Sequence, residues 1–346
     1  MTNKERFLRT LNFQSVDRLP ILEWATWWDL TVERWMAESL GDIPEIEGLN
    51  ADEALRVHLG LDLLMQEWIP FLSKETPKPA AHGAPLVRSL EDYERILPTL
   101  YSKDQPDLKR MRDMARRSAS GEAITWLTLD GFFWAPRTLL GIEPHLYAFY
   151  DEPDLLHRIC EDLTGYYVRV LDAVFSHFTP DFMTFAEDMS YNLGPMLSEA
   201  LFDEFLLPYY KRLVPLLKAR GVRVFVDTDG DVTQMVPWLT RAGVEGVLPL
   251  ERQVGVDAGR LRADHPGLLM LGHFDKMCMP GGEHAMRAEF ERLLPVMRSG
   301  GFVAGVDHQT PPSVSLENYK TFLALFREYA RLAAAGTSLE GEERAR

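Results

Sequence analysis

Three carboxylates within five residues, Asp227, Asp229 and Asp231, stand directly after the β-branched and aromatic run 223–226. Gly221 before that run and the Asp-Gly pair at 229–230 after it bound a buried strand. Alternate residues of an extended segment point the same way, so Asp227 and Asp229 can converge on one point beyond the strand end. Two convergent carboxylates suit a cation; the competing reading is a solvated turn with aspartate at its preferred positions. Repetition favours chemistry, because acids follow strands throughout the chain. Glu23 and Trp24 end the run 19–22, Glu67 and Trp68 follow 61–65, and Asp130 follows 123–129. Glu187 and Asp188 follow 182–186, Glu251 lies beyond 244–248, His273 and Asp275 end 268–271, and Asp307 and His308 end 302–306.

Helical patterns separate these runs and must position their ends. Amphipathic stretches cover 2–11, 51–59, 107–118, 152–178, 198–218, 232–242, 259–263 and 283–298, and a last helix capped by Ser315 carries the stripe Tyr319, Phe322, Leu323 and Phe326. Eight strand candidates alternating with helices predict an α/β fold, a single-domain (β/α)8 TIM barrel over residues 1–335 with a flexible tail at 336–346. Pro77, Pro79, Gly83 and Pro85 break any long element after the second strand, so 70–106 is expected as an insertion, a hairpin or lid. An open doubly wound sheet is the alternative, but no G-x-G-x-x-G or P-loop follows any strand. In a barrel the carboxyl ends of all strands share one face, where active sites sit.

Composition limits the partners. The 346 residues are 46% hydrophobic and 26% charged, an ordinary folded composition, and the formal charge of −15 argues against nucleic acid and anionic membrane. No stretch approaches the ~18 uncharged apolar residues of a membrane span, and the opening MTNKERFLRT lacks the apolar core of a signal peptide. Two cysteines, Cys160 and Cys278, fit a reducing compartment, so a cytoplasmic protein is expected. Trp24, Trp27, Trp28, Trp68, Trp126 and Trp134 cluster at the ends of the first three strands. They either fill the core or, beside the acids, form a cage for a cation such as a methylated ammonium.

Several spaced segments resemble one family. The opening E-R-F-L-R-T-L-N-F-Q-S-V-D-R-L-P, the segment L-S-E-A-L-F-D-E-F-L-L-P-Y-Y-K-R-L at 197–213 and the ending P-P-S-V-S-L-E-N-Y are similar to the uroporphyrinogen decarboxylase superfamily. The resemblance spans about 3–332 and implies a TIM barrel, as in the decarboxylase of haem synthesis and the cobalamin-linked methyltransferases. Decarboxylases of this family grip a substrate of eight carboxylates with arginines after the first strand. Here that place reads Trp24-Ala25-Thr26-Trp27-Trp28-Asp29, with no arginine before Arg34. The segment E-D-M-S-Y-N-L-G-P resembles the methyltransferase branch better.

That branch holds zinc through a His-x-Cys pair and a later Cys, positions that fall here on Asp227, Asp229 and His308. The resemblance therefore implies a divalent ion, zinc or a harder one, on those three residues. Glu67, Glu187, Asp188, Asn192 and Asp275 become the candidate catalytic groups. Trp24, Trp27, Trp28, Trp68, Trp134, Tyr191 and His273 become the candidate substrate contacts. The expected function is methyl transfer on a small, cationic methylated substrate, with a corrinoid on a separate protein as partner and a homodimer as an allowed assembly. A carboxy-lyase of porphyrin biosynthesis and a non-catalytic binding barrel are the alternatives.

Overall fold

The computed structural model describes residues 1–344 in backbone and 1–335 in side chains, so the tail expected at 336–346 lies outside the residues described in full. The chain divides into two compact units. The first comprises Met1–Met65, Arg116–Thr125 and Gly246–Arg346, and the second comprises Gln66–Ala115 and Trp126–Glu245. The class is α/β, as expected: nine strands alternate with helices, and seven of them belong to parallel ladders.

In the second unit the ladders join β2 (Ala123–Asp130), β3 (Phe182–Ala186) and β6 (Arg223–Asp227). Every residue of β2 and β3 is buried, which is why both read as near-continuous apolar runs, since a parallel sheet is covered on both faces. Their register sets the site. Asp130 pairs with Ala186, and Ala186 pairs with Asp227, so the last residues of three neighbouring strands lie side by side. β1 (Leu63–Ile69) brings Glu67 and Trp68 within its own length rather than after its end.

In the first unit, β7 (Gly246–Leu248), β8 (Leu269–Phe274) and β9 (Phe302–Val306) form the parallel ladders. Phe274 pairs with Val306, so Asp275 and Asp307 leave the sheet at the same level. β8 runs three residues further than its apolar core suggests and takes His273 into the strand.

Two expectations need correction. The run 19–22 is buried but is not a strand. Its backbone is claimed instead by the Asp62 carboxylate, which accepts from Ile21 N at 2.9 Å, and by the Ala330 carbonyl, which accepts from Leu19 N at 3.0 Å. Nearby, Trp27 and Thr310 form an isolated parallel bridge. The segment 70–106 is not a hairpin of strands either: it holds helix Leu90–Ile96, a 3-10 turn Leu97–Thr99 and one antiparallel bridge between Leu72 and Leu100.

A small hairpin of β4 (Ser190–Tyr191) and β5 (Gly194–Pro195) follows β3 and was too short to read from sequence. The helix expected at 198–218 is two. Ser198 caps Glu199–Phe205 by accepting from Leu201 N at 3.3 Å, and Leu207–Lys218 restarts with Pro208, which cannot donate to the preceding turn. Among the described residues no helix is long and apolar enough to cross a membrane.

Candidate active site

The sequence candidates divide between the two units, and each unit gathers its own acids. In the second unit Glu187 leaves β3 and turns under the start of helix Trp134–Leu140. Its Oε1 accepts from Phe132 N at 2.9 Å, and its Oε2 accepts from Phe133 N at 2.7 Å and Trp134 N at 3.2 Å. The Tyr210 hydroxyl donates to Oε1 as well. Gly131 is required at the turn, because a Cβ there would stand 1.9 to 2.3 Å from the Glu187 carboxylate atoms. Burial pushes the Glu187 carboxyl up to about 7 against the opposing pull of Tyr210 and the three backbone N–H groups.

Asp227 ends β6 beside Ala186. Burial raises its carboxyl well above the ordinary range, and the charges of Asp229 and Asp188 raise it further. The hairpin β4–β5 lies directly on the loop after β6. Asp231 N donates to the Tyr191 carbonyl at 2.9 Å, and a Cβ on Gly230 would meet the Tyr191 backbone at 2.5 to 2.6 Å. Thr228 pins the other side, its hydroxyl accepting from Met189 N at 3.0 Å and lying 2.8 Å from the Ser190 hydroxyl. Glu187, Asp188, Asp227 and Asp229 are thereby brought together, with Tyr191 and Asn192 exposed on the hairpin tip.

Other groups of this unit are committed. Asp130 accepts from Trp68 Nε1 at 3.0 Å and Phe71 N at 3.2 Å, and burial raises it to about 6. Glu67 pairs with Arg110 at 3.4 Å. Arg137 lies 5.2 Å over the Trp134 ring and donates to the Asp188 carbonyl at 3.3 Å. Sequence reasoning missed Tyr210, Thr228 and Ser190, whose hydroxyls sit in runs that read as core or turn.

In the first unit the acids are braced rather than free. The Asp307 carboxylate accepts from Arg252 N at 3.0 Å and from Lys276 through both its backbone N and its Nζ, each at 3.3 Å. Burial still raises its pKa, with Lys276 opposing. Asp275 caps the 3-10 helix Lys276–Gly281, accepting from Met277 N and Gln253 Nε2, both at 2.8 Å. His273 is fully buried, with Nδ1 at 2.8 Å from the Leu250 carbonyl and Nε2 accepting from Ala258 N at 3.2 Å. Burial lowers it to about 4, and both ring nitrogens are engaged within the fold.

Glu23 is fully buried and raised to about 8 by burial; its Oε2 accepts from Val306 N at 3.1 Å. The buried Arg56 guanidinium donates to the Glu23 carbonyl at 3.2 Å. Trp24 is buried, donates from Nε1 to the Val306 carbonyl at 2.8 Å and meets His308 edge-on at 5.9 Å.

Among the described residues no group of three His, Cys, Asp or Glu side chains stands close enough together to hold a metal ion. Both thiols are poor thiolates, since burial raises Cys160 well up and Cys278 to about 12. Neither cysteine therefore supplies the thiolate that the methyltransferase branch uses, and the ion expected on Asp227, Asp229 and His308 would rest on carboxylates and an imidazole.

A family model described as uroporphyrinogen decarboxylase (URO-D) matches residues 76–329, and the chain belongs to that family. No curated protein matches its sequence. Among solved structures, a methyltransferase from Methanosarcina mazei shares the fold with a TM-score of 0.67 at 16% identity, over 95% of this chain and 99% of that one. An endo-1,4-beta-mannanase from Rhizomucor miehei aligns over 91% of this chain and 95% of that one, at 10% identity and a TM-score of 0.46.

Proposed function

We propose that the chain is a methyl-transfer enzyme of this family acting on a small substrate, with the acids of the second unit as its proton-handling group. The observation that carries the reading is Asp227, a strand-end carboxyl raised by burial, by Asp229 and by Asp188. Burial and the neighbouring charges favour its protonated form. When a methyl group leaves a heteroatom, the bonding electron pair stays on that atom, which then takes up a proton; in this reading Asp227 supplies it and solvent returns it to Asp227. The resemblance to the methyltransferase branch and the fold shared with the Methanosarcina mazei methyltransferase support the transfer. The (β/α)8 barrel expected of the family is the frame of this reading, and a corrinoid on a separate protein is the expected methyl carrier. No metal is invoked.

The family model's description favours a second reading, decarboxylation of uroporphyrinogen. Against it stand two arginines of the second unit: Arg110 is paired with Glu67, and Arg137 is held on Trp134 and the Asp188 carbonyl. Neither is free to grip propionates, and an acidic cluster repels them.

The deciding assay offers purified protein cob(I)alamin together with methylated amines, thiols and phenol ethers, and follows methylcob(III)alamin by absorbance. Methyl transfer that drops about 100-fold or more in Asp227→Asn is expected, the loss typical of a missing proton donor. Coproporphyrinogen formation from uroporphyrinogen, without methyl transfer from any donor, would replace this reading by the second.

A further inference from the structure

The first unit holds a cleft of about 380 Å³ whose walls include Thr26, Trp27, Trp28, Asp29, Asp52 and Gln309. Two helices begin on it. Asp29 is the first residue of helix Asp29–Ala37, and Asp52 lies in the first turn of helix Ala51–His58. Each carboxylate lies in the first turn of its helix, where it suits the positive end of the helix dipole, but neither makes the cap: the capping box of the second helix is Asn50 and Glu53, and both aspartates are exposed.

The two tryptophans differ. Trp27 is 4% exposed, held edge-on by Trp35 at 6.2 Å and Tyr319 at 6.0 Å, and already carries the Arg56 guanidinium over its ring at 5.7 Å. Trp28 is 50% exposed. It occupies the N-cap of helix Asp29–Ala37 without making a side-chain cap bond, a position where Ser, Thr, Asp or Asn would serve the helix better. The indole makes no cap bond, and its exposed half is open to a ligand. Thr310, buried beside Gln309 and bridged to Trp27 through the backbone, has a hydroxyl with no partner. Gln309 is fixed by donating from Nε2 to Thr26 Oγ1 at 3.1 Å.

We propose that this cleft binds the head of a methylated ammonium cation, with the Trp28 face and the Asp29 and Asp52 carboxylates as its recognition groups. An indole face attracts a diffuse cation, and carboxylates add charge without requiring its dehydration to be complete. The volume lies at the small end of ligand cavities, enough for a substituted ammonium. The cleft is built from residues of the first unit alone, so the proposal goes beyond the methyl-transfer reading without resting on Asp227, and it is tested by binding.

The full chain is titrated by calorimetry and tryptophan fluorescence with tetramethylammonium, with choline, and with 3,3-dimethylbutan-1-ol, the uncharged isostere of choline. Saturable binding of both cations, with the isostere at least about 10-fold weaker, is expected. Trp28→Ala should weaken the cations about 3- to 30-fold, the range of a cation–π contact, and Trp28→Phe should restore most of it. The pair Asp29→Asn and Asp52→Asn should weaken binding and flatten its salt dependence. Circular dichroism confirms that each variant is folded, as the exposure of all three side chains predicts. No saturable binding of tetramethylammonium by the wild type, equal affinity for the isostere, or full affinity in folded Trp28→Ala overturns the assignment. Cation binding without methyl transfer to cob(I)alamin would leave the cleft standing and remove the enzymatic reading.

Discussion

Glu187→Gln tests whether a protonated acid sits at the centre of the second unit. The wild-type carboxyl titrates at about 7 in the fold against an ordinary 4.5, with burial as the main cause. The folded state therefore binds the proton more tightly than the unfolded state. Its contribution to stability is fully present below pH 4.5 and is lost as pH rises through about 7. At about 1.4 kcal/mol per tenfold change, that gap is worth about 3 kcal/mol. Glutamine does not titrate, so the variant lacks this slope. It also has a steric match but one acceptor too few: whichever way the amide is set, its NH2 faces Phe132 N–H or the Phe133 and Trp134 pair. At least one buried donor loses its partner, at roughly 1–3 kcal/mol. Urea unfolding followed by circular dichroism should thus find the variant less stable than wild type at pH 5 and equal or more stable at pH 8. A difference between the two proteins that stays constant within about 0.5 kcal/mol from pH 5 to 8 would refute a carboxyl titrating near neutrality.

Three further substitutions follow from the same geometry. Gly131→Ala places a Cβ within 1.9 to 2.3 Å of the Glu187 carboxylate and should cost about 3 kcal/mol or more in urea unfolding, or prevent soluble expression. Lys276→Met removes the ammonium 3.3 Å from the fully buried Asp307; the expected loss is roughly 3–5 kcal/mol at pH 8 and less at acid pH, where the carboxyl takes up a proton. Asp227→Asn relieves the repulsion from Asp229 and Asp188, so stability at pH 8 should hold or rise while methyl transfer collapses. A parallel loss of stability and activity in that variant would mark Asp227 as structural.

What the sequence makes legible here is local, and what it hides is pairing. The run before Asp227 is β-branched and bounded by glycine, and it does form β6 with the acid as its last residue. That Asp130, Ala186 and Asp227 stand in one row is a matter of register between strands more than forty residues apart, which no spacing reports. The run 19–22 fails for a related reason. Its residues suit a strand, but Asp62 and Ala330 take its backbone groups, and neither is nearby in sequence.

Tyr210 lies in an apolar helical stripe and reads as core, which it is apart from one hydroxyl on Glu187. His273 and Asp275, two apart, invite the idea that they orient each other. The positive φ of 73° at His273 and the 3-10 turn after Asp275 accompany separate destinations, the Leu250 carbonyl for one and the Met277 N–H for the other. Trp27 and Trp28 are the opposite case. Consecutive residues of an extended segment face opposite ways, so a Trp-Trp pair outside a helix can send only one indole into the core. Trp28 has an extended backbone, φ −63° and ψ 144°, and is the indole left outside. That outcome follows from adjacency, and it leaves the second indole open to a ligand where the first is packed.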